Sequence, residues 1–352
     1  MDASKNVAFI GTVGVPNRYG GFEAFLEHCA PEMAQRLNSV FVTCYSGAYE
    51  DLSPDFKGVR RLFLNIPANG ALSVLHDLRA FFCVFLKSTH IVVLGVSGGA
   101  WFPLFRLLCS IAGKKLLVNV DGVEWKRGKF SRSRRFLLRV FDSLAQFCSH
   151  VVIYDNAALA QYLLPSCREK SVLIPYSGDH VLRLPGVSKV PKTALTVCRI
   201  EPENNIHLMI EGAVASSLNK YTIIGNWNAS EYGRNLKEKY KNTKQLDLLD
   251  PIYDPKILAQ YRESCDVYIH GHSVGGTNPS LVEMLFYDCR ILCFDVSYHR
   301  ETGGSSLEYF SDASDLTKLI NSSSNTVGER TQYRKKYSRQ NISDLYIQAL
   351  DH

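Results

Sequence analysis

Residues 271–283 form a glycine-rich stretch between two apolar runs: Gly271-His272-Ser273-Val274-Gly275-Gly276-Thr277-Asn278-Pro279-Ser280-Leu281-Val282-Glu283. Residues 265–270, which precede it, are rich in β-formers, and residues 284–286 continue its apolar positions at helical spacing. Pro279 suits the first turn of a helix, where its missing N–H costs nothing. The order of strand, glycine-rich turn and helix indicates an α/β fold with a loop that a ligand can approach.

The chemistry of this stretch suggests a nucleotide ligand. Glycines let a backbone approach a ligand closely, and the positive end of a helix attracts an anion such as phosphate. A carboxylate at Glu283, about one turn further on, could accept two hydroxyl hydrogen bonds from a ribose. A nucleotide diphosphate with its sugar attached satisfies both features. On turn chemistry alone, an ordinary connection between a strand and a helix remains an equal alternative.

Length and composition indicate a soluble globular protein with two domains. The chain has 352 residues, of which 46% are hydrophobic and 21% charged. It contains no apolar run of the roughly 18–20 residues that a membrane span needs. An apolar strand-like run follows the first few residues directly, so no signal peptide is expected. The ten cysteines are scattered and form no CxxC pair, which argues against zinc and disulfides and favours a reducing cytoplasm.

Strand and helix patterns alternate along the whole chain, which predicts parallel sheets. In the first half, apolar strand patterns occur at residues 6–11, 91–95, 116–122 and 151–156. We therefore predict two tandem Rossmann-like, doubly wound parallel-sheet domains facing across a cleft. The expected boundaries are residues 1–180 and 181–330, followed by a C-terminal helix at residues 331–352 that packs back on the first domain. Ligands should collect at the carboxyl ends of the strands.

The loop after the first strand contains Gly20 and Gly21 but lacks the GxGxxG pattern of dinucleotide-binding proteins. A tight turn that packs Tyr19 and Phe22 inward is one interpretation. A ligand-facing loop is the favoured one.

Positive charge is concentrated in one segment. Residues 1–185 hold 21 basic and 14 acidic side chains, against 19 and 20 in residues 186–352. Residues 126–139 contain no acidic side chain and interleave apolar residues with seven basic ones: Lys126, Arg127, Lys129, Arg132, Arg134, Arg135 and Arg139. A solvated helix face is the simplest explanation. Nucleic-acid binding is disfavoured because no recognised motif accompanies the charge, and an anionic membrane surface fits better.

Four motifs in order resemble retaining glycosyltransferases of the GT-B fold, the large family-four group. The turn Arg199-x-x-Pro202-Glu203-Asn204-Asn205 is similar to the Arg-x-x-x-Glu-Lys-Gly turn of that group, and residues 271–283 are similar to its Glu-x7-Glu element. Together with residues 16–23 and 121–127, they resemble the bacterial subgroup identified as rhamnosyltransferases.

Three departures from the family pattern bear on the donor. Asn204 or Asn205 stands where the family has a lysine, and Gly275 stands where it has the first glutamate of Glu-x7-Glu. Asp121 replaces a histidine at the end of an acceptor-side strand. A 6-deoxyhexose, which needs fewer hydroxyl contacts, is consistent with the glycine.

The resemblance implies transfer of a hexose or 6-deoxyhexose, with rhamnose favoured, from a nucleotide diphosphate sugar, with retention and without metal. It implies dTDP-rhamnose ahead of UDP- or GDP-sugars, and a lipid-linked saccharide acceptor at the inner face of the cytoplasmic membrane, in O-antigen or capsule synthesis. A catalytically inactive scaffold that binds sugar nucleotides and an epimerase-like GT-B enzyme remain alternatives.

The same resemblance implies roles for individual residues. Arg199 would stabilise the leaving diphosphate, and Asp121 or Glu124 would orient or deprotonate the acceptor hydroxyl. The residues implied in donor binding are Gly20, Gly21, Arg199, Asn204, Asn205, Asn226, Ile252, Tyr253, His272, Gly275, Gly276, Thr277, Asn278, Pro279, Ser280, Leu281 and Glu283. Those implied in acceptor binding are Tyr19, Phe22, Glu23, Trp125 and Lys126.

Overall fold

The computed structural model describes residues 2–18, 20–126, 130–322 and 329–352. The chain divides into two compact units. Unit 1 comprises Met1–Ser177 and Tyr337–His352, and unit 2 comprises Gly178–Lys336.

Unit 1 contains an eight-stranded sheet in the order β3-β4-β2-β1-β5-β6-β7-β8. All neighbouring strands are parallel except the short β3, which runs antiparallel to β4. The strands are β1 (Asp2–Ile10), β2 (Leu37–Tyr45), β3 (Asp55–Phe56), β4 (Val59–Leu64), β5 (His90–Leu94), β6 (Lys115–Asn119), β7 (Val151–Tyr154) and β8 (Ser171–Leu173).

Helices cover both faces of this sheet, which is why its central strands are apolar on both sides. One face is covered by α1 (Gly21–Ala34) and by a helix from the end of the chain, α12 (Arg339–Ala349). The other face is covered by α2 (Ser73–Phe85), α3 (Phe102–Ile111) and α4 (Arg132–Cys148).

Unit 2 contains a six-stranded, wholly parallel sheet in the order β11-β10-β9-β12-β13-β14. Its strands are β9 (Val190–Val197), β10 (Lys220–Ile224), β11 (Leu246–Leu249), β12 (Cys265–His270), β13 (Arg290–Phe294) and β14 (Glu308–Phe310). Its helices are α5 (Ile206–Val214), α6 (Glu231–Tyr240), α7 (Pro255–Ser264), α8 (Pro279–Met284), α9 (Ser297–Gly303), α10 (Ala313–Asn321) and α11 (Thr331–Lys336).

The strand order reverses once in each sheet, and these reversals position the candidate loops. In unit 1 the reversal lies between β1 and β5, and in unit 2 between β9 and β12. The loops that follow two such strands leave the sheet in opposite directions, so a crevice opens between them at the carboxyl edge. Among the described residues, none of the helices has both the length and the apolar character needed to cross a bilayer.

Candidate functional site

In unit 2, the loops that follow β9 and β12 are tied together at the point where the strand order reverses. The backbone N–H and the hydroxyl of Ser273 both donate to the carbonyl of Glu203, each at 2.9 Å. The side-chain amide of Asn205 donates to the carbonyl of Gly271 at 2.8 Å. At Gly271, a Cβ would lie 2.4 Å from the carbonyl oxygen of Asn204, so only glycine permits this approach. The Arg199 turn and residues 271–283 therefore form one structure.

His272 is fixed inside this structure by Asn204. The Asn204 amide nitrogen donates to the carbonyl of Arg199 at 2.7 Å, which leaves its Oδ1 to accept a bond of 2.7 Å from Nδ1 of His272. Nδ1 therefore carries a proton, because an amide oxygen only accepts hydrogen bonds. Asn204 thus has a structural use here that a lysine could not serve, because a lysine side chain carries no acceptor.

Gly275 adopts φ +125°, a backbone conformation that L side chains rarely take. A Cβ at this position would also lie 3.4 Å from Nε2 of His272. The position that resembles the first glutamate of Glu-x7-Glu therefore has a backbone suited to glycine.

Helix α8 is shorter than the sequence suggested, and N–H groups of its first turn are already hydrogen-bonded. The helix spans only six residues. Oδ1 of Asn278 accepts from both the backbone N–H and the hydroxyl of Ser280, at 3.0 and 2.7 Å, and the N–H of Leu281 donates to the carbonyl of Asn278. These N–H groups are therefore used within the turn, and Gly276 and Thr277 in the preceding loop are buried.

Glu283 lies between two hydrogen-bond partners, Arg262 and His180, that no local sequence pattern marks. Nη2 of Arg262 donates to its Oε2, and Nε2 of His180 donates to Oε1 at 3.3 Å. Burial raises the pKa of Glu283, but the charge of Arg262 and the contact with His180 outweigh it and bring the pKa to about 2. The carboxylate is therefore ionised and held in place at neutral pH, with its side chain 16% exposed.

The remaining donor candidates of unit 2 lie at the carboxyl ends of neighbouring strands. The side chain of Arg199 is exposed just beyond β9, and Asn226 is exposed just beyond β10. Ile252 and Tyr253 follow β11, and Tyr253 is 89% exposed. All of them lie on the same edge of the sheet as residues 271–283.

In unit 1, Glu23 holds the loop that contains Gly20 and Gly21. Its Oε1 accepts from the N–H of Val13 at 2.9 Å, and its Oε2 accepts from the N–H of Gly20 at 3.1 Å. The side chain is buried, which raises its pKa. Both oxygens thus stabilise the start of α1, while the ring of Phe22 packs 6.1 Å from that of Tyr176.

Asp121 follows β6 in a left-handed conformation, with φ +58°. Its N–H donates to Oδ1 of Asn119 at 3.0 Å, and the hydroxyl of Tyr176 donates to its Oδ1 at 3.4 Å. A non-glycine residue at positive φ is uncommon and marks a position where the surroundings fix the backbone.

Trp125 and Lys126 lie next to α4. Nε1 of Trp125 donates to Asp142 at 3.2 Å, and Nζ of Lys126 donates to the hydroxyl of Tyr162 at 2.7 Å. Glu124 begins the short 3-10 turn Glu124–Lys126. Three predicted site residues, Tyr19, Arg127 and Lys129, lie outside the described residues, as does the side chain of Glu124.

Sequence reasoning missed Arg262, His180 and Tyr176. Each acquires its role from a side chain distant in the sequence: Glu283 for the first two and Asp121 for the third. No local motif marks them, because each contact joins segments that lie apart in the sequence.

These two doubly wound units define the GT-B fold, which solved structures share over nearly the full chain. Sucrose-phosphate synthase from Thermosynechococcus elongatus aligns with a TM-score of 0.77 at 12% identity, covering 99% of both chains. HepE from Anabaena, solved with UDP and glucose, aligns with a TM-score of 0.73 at 13% identity, again over 99% of both chains. TarM aligns with a TM-score of 0.73 at 10% identity and the same coverage.

The chain belongs to the family described as a domain of unknown function, DUF1972, whose model matches residues 4–179. No curated protein matches the chain. The predicted fold class is confirmed by the structural similarities, which at these identities establish the fold alone.

Proposed function

We propose that this protein is a glycosyltransferase that takes its sugar from a nucleotide diphosphate donor. The observation that carries the proposal is the joined pair of loops after β9 and β12, which lies where the strand order of unit 2 reverses. The shared fold supports it, since HepE was solved with UDP and glucose.

In the proposed reaction, the bond between the anomeric carbon and the diphosphate oxygen breaks while the acceptor hydroxyl oxygen bonds to that carbon. Negative charge develops on the leaving diphosphate. The exposed guanidinium of Arg199 and the loop amides near Gly276 would stabilise this charge without a metal ion. The acceptor proton would pass to a carboxylate of unit 1, with Asp121 or Glu124 as the candidates.

Glu283 is proposed to bind the ribose diol. Each of its oxygens accepts one hydrogen bond from Arg262 or His180, and a carboxylate offers about four acceptor positions. Two positions thus stay available for ribose hydroxyls. The fixed carboxylate would hold the nucleotide without losing side-chain entropy on binding.

We propose that the donor carries a 6-deoxyhexose, with dTDP-rhamnose ahead of UDP- and GDP-sugars. The sugar is transferred with retention to a lipid-linked saccharide at the inner face of the cytoplasmic membrane. The glycine at position 275 supports a sugar with fewer hydroxyl contacts. The basic side chains Arg132, Arg134, Arg135 and Arg139 of α4, all exposed, support attachment to an anionic membrane.

A thermal-shift panel without added metal tests the donor: dTDP-rhamnose, UDP-glucose, UDP-N-acetylglucosamine, UDP-galactose and GDP-mannose. Saturation at 100 times the dissociation constant adds about 2.7 kcal/mol and moves the midpoint by several degrees. We expect Arg199→Ala to abolish the shift and Arg168→Ala, an exposed arginine of unit 1, to retain it. A shift with a different donor alone would mean that the transferred sugar is the one on that donor and not rhamnose. No shift with any donor would refute the site, and donor binding without transfer of the sugar to any acceptor would favour an inactive scaffold.

A further inference from the structure

The outer surface of the α2–α3–α4 layer is unusually apolar. Among the described residues, eighteen large hydrophobic side chains are exposed, and eleven of them lie on or directly beside these three helices. The most exposed are Leu86 at 89%, Ile111 at 77%, Phe136 at 71% and Phe147 at 67%. On α4, residues 136, 140 and 147 are spaced by four and seven positions, which puts them on one face of the helix.

The opposite layer of unit 1 is a control within the same unit. It covers the other face of the same sheet with α1 and α12, and none of the eighteen exposed hydrophobic side chains lies on either helix. The apolar surface is therefore a property of one layer, and single exposed apolar residues scattered at random do not explain it.

The charge on this layer has one sign. Residues 72–87, 102–114 and 130–148 hold eight lysines and arginines and two aspartates. Asp77 is 1% exposed, and Asp142 accepts hydrogen bonds from Trp125 at 3.2 Å and Gln146 at 3.0 Å. The exposed ionic groups of the layer are thus almost entirely cationic.

We propose that this layer is an interfacial docking surface that rests on an anionic lipid bilayer, with apolar side chains of all three helices entering the acyl boundary and the flanking basic side chains contacting phosphate head groups. A surface helix lies in a membrane interface when it carries an apolar face and is rich in basic side chains on its polar face. A nucleic acid would leave the apolar groups unused, and the core of a protein–protein interface is depleted in charged residues overall. This inference rests on the proposed function, which has the acceptor at the membrane, and it identifies the surface that attaches the protein there.

Co-sedimentation of the full chain with vesicles tests the surface without donor or acceptor. A negative result therefore counts against the docking surface alone and does not affect the proposed transfer reaction. Vesicles of phosphatidylcholine are compared with vesicles containing phosphatidylglycerol, at low and high salt. Phe136→Ser with Phe147→Ser removes two apolar contacts. Arg79→Gln, Lys87→Gln and Arg132→Gln together remove three charges. Leu52→Ser with Val214→Ser, exposed apolar residues elsewhere, is the matched control.

We expect the wild type and the matched control to bind anionic vesicles much more tightly than neutral ones. The charge variant should lose about 100-fold in partition coefficient and its preference for anionic lipid. The apolar variant should lose about tenfold or more and keep that preference. Equal binding by the wild type and both layer variants would overturn the proposal. So would a fall in oligomeric state of the apolar variant with unchanged vesicle binding, since a second copy would then be the occupant.

Discussion

Glu283 illustrates how a buried carboxylate keeps its charge. Burial opposes ionisation, yet Arg262, itself only 8% exposed, and His180 lie against its two oxygens. The ionised form is favoured so strongly that the pKa falls to about 2. The same ion pair makes Arg262 dependent on Glu283, because removal of one partner leaves the other charge buried and uncompensated.

We predict that Glu283→Gln lowers the free energy of unfolding of unit 2 by about 3 kcal/mol at pH 7. Because the folded pKa is depressed, this stabilisation is present above the ordinary pKa of 4.5 and is lost as the pH falls toward about 2. Urea unfolding of wild type and variant at pH 7 and pH 3 measures the difference. Glu238→Gln, which removes an exposed carboxylate, is the control. A difference that stays constant down to pH 3 would contradict the assignment.

Gly275 changes meaning once its backbone is known. In the sequence it stands where the glycosyltransferases that the chain resembles have a glutamate, which suggests the loss of a sugar contact. Its φ of +125° is a backbone conformation that a glutamate would strain. We therefore expect that a glutamate introduced at this position would distort the loop.

At the scale of elements, Asp77 connects α2 to the loop after β5. The hydroxyl of Ser97 donates to its Oδ2 at 3.2 Å, and a Cβ at Gly98 would collide with its side chain at 2.7 Å. Burial raises the pKa of Asp77 to about 7. The loop that it supports lies where the strand order of unit 1 reverses.

We predict that the stability of the wild type relative to Asp77→Asn is greatest below pH 4 and declines as the pH rises toward 7. The folded pKa of about 7 is above the ordinary value of 3.8. Between these two pH values the native state keeps the proton while the unfolded chain releases it, so stability falls as the pH rises. Above pH 7 the carboxyl is ionised in both states and the loss is complete. Thermal midpoints of both proteins across pH 4–8 measure this. Parallel curves would show that Asp77 does not titrate in this range.

The sequence predicted the central strands well and the peripheral ones poorly. The strand predicted at residues 91–95 is found as His90–Leu94, because a continuous apolar run has few alternatives in a sheet covered on both faces. The short β3, β8 and β14, of two or three residues, lack a pattern long enough to detect. The helical apolar pattern that follows Gly21 extends to about Leu37, but α1 ends at Ala34 because Leu37 already begins β2.

The candidate site was predictable in its motifs and unpredictable in its contacts. Residues 271–283 were found from glycine and proline positions, which act locally, and the Arg199 turn was found from its resemblance to a family motif. The bonds from Asn204 to His272 and from Arg262 to Glu283 join segments distant in sequence. They depend on the register of β9 against β12 and on the packing of α7, neither of which a single sequence encodes locally.

At the scale of the whole molecule, the chain leaves unit 1 at Ser177 and returns to it at Tyr337. The returning helix α12 buries Ile342 and Tyr346 in the core of unit 1, where the ring of Tyr346 stacks on Phe25 at 4.4 Å. The last residues of the sequence thus complete a core that the first residues begin. Unit 1 cannot have this core until α12 has been synthesised.

Tyr346 also connects this core to the candidate acceptor loop. The Asn119 amide nitrogen donates to its hydroxyl at 2.9 Å, while Oδ1 of Asn119 accepts from the N–H of Asp121 at 3.0 Å. The orientation of the Asn119 amide, and with it the backbone of Asp121, is therefore set by the hydroxyl of a residue more than two hundred positions later in the chain.

We predict that Tyr346→Ala destabilises unit 1 by about 3–5 kcal/mol, because it leaves a cavity beside Phe25. Tyr346→Phe keeps the ring and removes the acceptor of the Asn119 amide, at a cost of about 1–2 kcal/mol. Hydrogen exchange at the amide of Asp121 separates the two effects. In Tyr346→Phe it should accelerate more than exchange in the strands of the core, since the loop loses its anchor while the packing remains. Uniform acceleration throughout unit 1 would show that the hydroxyl stabilises the core in general and does not position Asp121.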